Sequence, residues 1–151
     1  MAWVEAADGS RPRRADQIAG AGELAVRKAI NNWRVRPFAR GSADCCAFAD
    51  YIVGQLTGVS YLGHFSYSDD AGAESIIKAH GGLAGAVTLA MRRAPIPPEE
   101  LRVGDVVLIT ILDKQAIGIL ATDSSVVTVF EDAIPRSVRR DFVDMGWHSW
   151  V

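Results

Sequence analysis

Two adjacent thiols, Cys45 and Cys46, are the only cysteines in this 151-residue chain, and they stand where a helix should begin. Ser42 or Asp44 can cap a helix whose apolar stripe Cys45, Phe48, Ala49, Ile52, Val53 and Leu56 recurs at helical spacing, with Gly58 as its stop. A thiol in a first helical turn meets the partial positive charge of unpaired N–H groups. This favours thiolate and raises nucleophilicity at neutral pH. A second reading of the position stays open: cysteine is among the most buried residue types, and Cys45 also lies on the apolar stripe. Neighbouring Cα atoms are about 3.8 Å apart, shorter than the usual disulfide span of about 4.4 to 6.8 Å. The pair therefore builds no disulfide framework, which fits synthesis in a reducing cytosol.

A nucleophilic thiol also needs a base within hydrogen-bond reach, nearly always histidine. The candidates are His64 in a Gly- and Tyr-containing loop, His80 at a helix end against Gly81, and His148 between Trp147 and Trp150. None lies on a strand that follows the helices, and each also reads as a surface or packing residue. Cys45-Cys46 and three scattered histidines lack ordinary ligand spacing, so neither a metal site nor a cofactor is expected.

The elements that must position these groups are legible from periodicity. A first helix is predicted over residues 24–33, where Val26, Ala29, Ile30 and Trp33 recur, ending before Arg36-Pro37. The Cys45 helix follows, then helices over 73–80 and 83–91, closed by Pro95-Ile96-Pro97-Pro98. Beyond that point the character changes to strands, at 106–112, 116–121, 126–130 and 138–143. Helices first and then closely spaced strands give an α+β fold, with N-terminal helices packed on a C-terminal antiparallel sheet. Residues 1–22 mix Gly, Ala, Asp and Arg without a period, so they are expected to form an N-terminal arm preceding a single domain at 23–151. In the arm, Trp3, Arg13 and Arg14 are candidate partner contacts, as is Trp150 at the other end.

Composition bounds the function. At 49% hydrophobic and 23% charged residues the chain is an ordinary globular one. A net charge of −2 argues against a nucleic-acid partner, although residues 1–42 carry eight Lys/Arg against four acids. No apolar run reaches the roughly 18 residues of a membrane span, and no signal peptide is expected.

Gly41-Ser42-Ala43-Asp44-Cys45-Cys46-Ala47-Phe48 resembles the DCxGF-type nucleophile motif of the NlpC/P60 relatives of papain. Residues 97–108, with Gly104-Asp105 before an apolar strand, resemble that family's P-x-x-GD segment, and Ala116-Ile117-Gly118-Ile119-Leu120 resembles its HVGIY strand. With Trp33, Pro37-Phe38 and Trp147, the whole is similar to a small NlpC/P60-like family encoded in phage and prophage tail clusters. The resemblance implies a papain-like fold with Cys45 at the nucleophile position, Asp44 as helix cap, and Ala116 where the family has its strand histidine. A thiolate without that base is a poor amidase, so His148 or His64 would have to reach the groove.

Two functions follow as expectations. The first is a structural or adaptor component of a phage or prophage tail tip, carried in the virion after synthesis in the bacterial host cytoplasm. It would bind other tail-tip or baseplate proteins and keep a degenerate active site. The alternative is an active cysteine hydrolase that cuts amide bonds in peptidoglycan stem peptides during phage entry.

Overall fold

The computed structural model describes residues 3–4, 13–34, 39–40 and 44–149. The side chains of residues 3–4, 13–21 and 64 lie outside that description, as does all of Trp150. The partner contacts expected of Trp3, Arg13, Arg14 and Trp150 therefore fall outside the described groups.

The chain is α+β. A two-residue pairing of β1 (Trp3–Val4) with β2 (Arg13–Arg14) opens it, in the region expected to be an arm. The first helix, α1 (Ala15–Asn32), starts well before the predicted residue 24. Three more helices follow: α2 (Cys45–Thr57), α3 (Asp70–Ala79) and α4 (Leu83–Met91). The strands β3 (Val106–Ile111), β4 (Lys114–Leu120), β5 (Ser125–Val129), β6 (Pro135–Arg139) and β7 (Val143–Trp147) form one antiparallel sheet in the order β6-β5-β4-β3-β7. The single strand expected at 138–143 is thus two strands at opposite edges, joined through a 3-10 turn at Arg140–Phe142. That turn breaks the run in which one strand had been expected.

Helix α2 is the central one because its stripe is buried: Phe48, Ala49, Ile52 and Val53 are at most 1% exposed. Gly58 ends it in the left-handed region at φ 78°, where its N–H returns to the Gly54 carbonyl. On one side α2 meets α1, where Trp33 stands edge-on to Phe48 and Tyr51. On the other it packs against one face of the sheet, contributed by Leu108, Ile117, Ile119 and Val127 among others.

The sheet is buried on both faces, since Leu101, Val107, Ile109, Leu120, Val126 and Val143 form a second apolar cluster. Strand alternation divides the two sets: in β4, Ile117 and Ile119 face the helices, while Ala116 and Leu120 belong to the other cluster. The β3–β4 hairpin pairs Ile111 with Lys114 around Leu112 and Asp113, whose φ values of 49° and 64° give a two-residue turn with both central residues left-handed. Among the described residues no helix is long and apolar enough to cross a membrane.

Candidate functional site

Asp44 is the helix cap the sequence indicates. Its backbone is extended, and its carboxylate accepts from the Ala47 N–H at 2.8 Å. The second oxygen accepts from the Tyr67 hydroxyl at 2.6 Å, a partner 23 positions along the chain. Tyr67 is brought back by Asp50, on the same helix, whose carboxylate accepts from Ser60 Oγ and from the N–H groups of Tyr61 and Leu62. The Asp50 carboxylate thus folds the loop that the Asp44 carboxylate, at the helix cap, then holds.

Cys45 follows the cap, half-buried, with its sulfur 3.5 Å from the Ile117 N–H of β4. Its thiol lies below the ordinary cysteine value, first because the Cys46 S–H donates to it, and then through the Ile117 N–H and the nearby Arg40 charge. Burial and the Asp44 charge oppose that shift. Cys46 is pushed well above the ordinary value by the hydrogen bond it donates, by burial and by the Cys45 charge. Tyr67 is likewise raised, mainly by burial, and so remains a hydroxyl donor to Asp44. The two thiols act as a pair in which Cys45 ionises first and Cys46 keeps its proton.

This asymmetry has a direct readout. Iodoacetamide at neutral pH is expected to alkylate Cys45 first, with a rate that persists to lower pH than for an ordinary cysteine, and to leave Cys46 unmodified until Cys45 is blocked. Peptide mapping across a pH series measures it, and equal labelling of both thiols would contradict the assignment.

Two spaces meet at Cys45. One is a cavity of about 110 Å³ between α2, α3 and α4, with apolar walls that include Phe65, Ile76, Ile77 and Val87. The other is an open groove of about 580 Å³ at the hairpin end of the sheet, lined by Ile109, Ile111, Leu112 and Phe130 among others. Arg40, Cys45 and Gln115 line both. Arg40 is held there by Asp70 of α3, Nε to Oδ1 at 2.7 Å.

The expected site residues separate. Asp44 and Cys45 are together as read, and Ala116 lies in β4 beside them, lining the groove while packing on the far-face cluster. Gln115, one residue away, lines both spaces, on the side of the sheet that Ile117 and Ile119 share. Its signal in the sequence was its alternation with those two isoleucines.

His148 lines neither space. Its Nδ1 is 2.7 Å from Asp105 Oδ2, just before β3, roughly three strand residues or 10 Å from the Leu108–Ile117 pair beside Cys45. His80 places Nδ1 2.7 Å from the Ile76 carbonyl and its ring edge-on to Phe65, so it supports the cavity wall from behind. His64 has its backbone in a 3-10 turn at Leu62–His64, and its side chain is outside the described groups. Tyr67, Arg40 and Gln115 are the residues of the site that the sequence did not single out as partners of Cys45. Among the described residues no cluster of three or more metal-ligating side chains occurs.

No curated protein and no solved structure matches the chain. A family model does match, over residues 21–148, and by it the chain belongs to DUF6950, a domain of unknown function.

Proposed function

We propose that this chain is a structural or adaptor component of a phage or prophage tail tip, built on a papain-like NlpC/P60 fold whose active site has lost its base. The observation that carries the loss of activity is local. Among the described residues no imidazole lines either space at Cys45, and the strand beside the sulfur presents the Ile117 N–H and Gln115 instead. An amide leaves as a poor leaving group unless its nitrogen is protonated, and a backbone N–H and a carboxamide do not shuttle protons at neutral pH. The tail assignment is supported by the motif resemblance of residues 41–48, 97–108 and 116–120, and Trp3, Arg13, Arg14 and Trp150 supply partner contacts in this reading. The lowered Cys45 thiol favours the alternative, a working cysteine hydrolase on peptidoglycan stem peptides.

Incubation of the purified protein with cell-wall sacculi separates the two. No stem-peptide fragment is expected, and release that disappears in Cys45→Ala would establish the hydrolase. In parallel, particles carrying Cys45→Ala are expected to contain the protein at the tail tip by immunogold labelling and to infect normally. Absence of the protein from wild-type particles would overturn the adaptor reading.

A further inference from the structure

A thiolate without a base is not without chemistry. Amide cleavage needs a proton delivered to the leaving nitrogen, but transfer of an acyl group from one sulfur to another does not, because a thiolate leaves unaided and its acidity is close to that of the attacking thiol. Cys45 has what such a transfer needs: a sulfur reachable from an open groove, and the N–H groups of Cys45 and Cys46, which helix geometry leaves without intrahelical partners. The Ala47 N–H is already taken by Asp44, so the first-turn donors that remain are those nearest the sulfur.

The cavity behind the sulfur specifies the acyl group. Its walls are mainly apolar, and of the polar residues that line it Tyr67 donates to Asp44 and Arg40 is paired with Asp70, while the exposed Gln115 stands where the cavity meets the groove. An apolar cavity of about 150 Å³ takes a benzene molecule, so the 110 Å³ here matches an unbranched chain of about four carbons. Ile76 and Ile77 form one wall from α3, a helix with no fully buried residue, and Ala73 of the same helix leaves the space that a larger side chain would fill.

We propose that Cys45 is an acyl-acceptor site that takes a short unbranched acyl group from a small acyl thioester and lodges the chain in the cavity between α2, α3 and α4. The Cys45 sulfur attacks the thioester carbonyl carbon, the new carbon–sulfur bond forms as the donor's carbon–sulfur bond breaks, and the departing thiolate takes up the proton that Cys45 gave to solvent. The products are S-acyl Cys45 and a free thiol. Cys46 keeps its proton throughout and is not acylated.

The test uses the whole purified chain with the acetyl, butyryl and octanoyl thioesters of N-acetylcysteamine, read by intact mass and peptide mapping. One butyryl group on Cys45 is expected, gained about tenfold faster than octanoyl, which the cavity cannot hold. Ala73→Leu is expected to slow butyryl transfer by about tenfold while acetyl transfer and iodoacetamide alkylation of Cys45 keep their rates. Equal rates for butyryl and octanoyl, acylation of Cys46, or no acylation of a Cys45 that iodoacetamide does modify would each overturn the proposal. Butyryl transfer unchanged in a folded Ala73→Leu would overturn it as well, and should that variant fail to fold, the chain-length series on the wild-type protein decides alone.

Discussion

Replacing Asp105 with alanine is expected to destabilise the domain by about 3–5 kcal/mol, the usual loss when one member of a buried charged network is removed. Asp105 is fully buried, and it accepts from three donors: the Arg102 N–H at 2.7 Å, the Ser149 N–H at 3.1 Å and His148 Nδ1 at 2.7 Å. Alanine leaves two backbone N–H groups with no acceptor, each a desolvation penalty of about 1–3 kcal/mol. The network also ties the chain's end to the sheet, since Ser149 Oγ donates to the Gly104 carbonyl and Arg93 donates to the His148 carbonyl. The melting temperature should fall by about 10 °C for a domain of this size, with early hydrogen exchange at Ser149. His148→Ala is the control. Its imidazole is about one third exposed, so a loss near 1 kcal/mol is expected. Comparable losses for the two variants would show that His148, not Asp105, is the centre of the network.

The same residues show how far sequence reasoning reaches. Gly104-Asp105 was read as an entry into a strand through the resemblance of residues 97–108 to the P-x-x-GD segment, a match that rests on consecutive residues. That Asp105 binds Ser149, 44 positions away, was not legible, since no periodicity records it. The central helix was read correctly because its cap and stripe lie within thirteen consecutive residues. Helix α1 was started too late because Gly20 and Gly22 interrupt the apolar pattern, although both are tolerated inside the observed helix. The edge strand β6 was missed because Arg136, Ser137 and Arg139 are exposed and give no apolar alternation, as suits an edge that must not pair further. At the site, strand alternation puts Gln115 and Ala116 on opposite sides of β4. Which of them shares the cavity wall with Cys45 depended on the packing of Ile117 and Ile119 against α2, a tertiary fact.

Trp147→Ala is expected to cost about 3–5 kcal/mol, and its consequences should extend to the Cys45 cavity. The side chain is the largest fully buried one among the described residues, and it reaches from the edge strand β7 to α4, where its Nε1–H donates to Thr88 Oγ1 at 3.1 Å. On the strand side Trp147 pairs with Val106, the first residue of β3. Removing the indole leaves a void against which neither a sheet paired on β3 nor a helix of nine residues can collapse fully, and it also leaves Thr88 without its donor. Because α4 carries Ala86 and Val87 on the cavity wall, a loosened α4 should widen that space. Trp147→Phe restores most of the volume but not the hydrogen bond, so it should recover more than half of the lost stability. Denaturant unfolding of the two variants gives the stability difference, and xenon binding followed by NMR at Val87 reports the cavity. If Trp147→Ala lost less than about 1 kcal/mol, or if it lost more while Val87 stayed unperturbed, the link between the C-terminal strand and the site would fail. The expected result makes the resemblance at Trp147 a statement about packing, with the indole holding in place the helix that forms the rear wall of the thiol site.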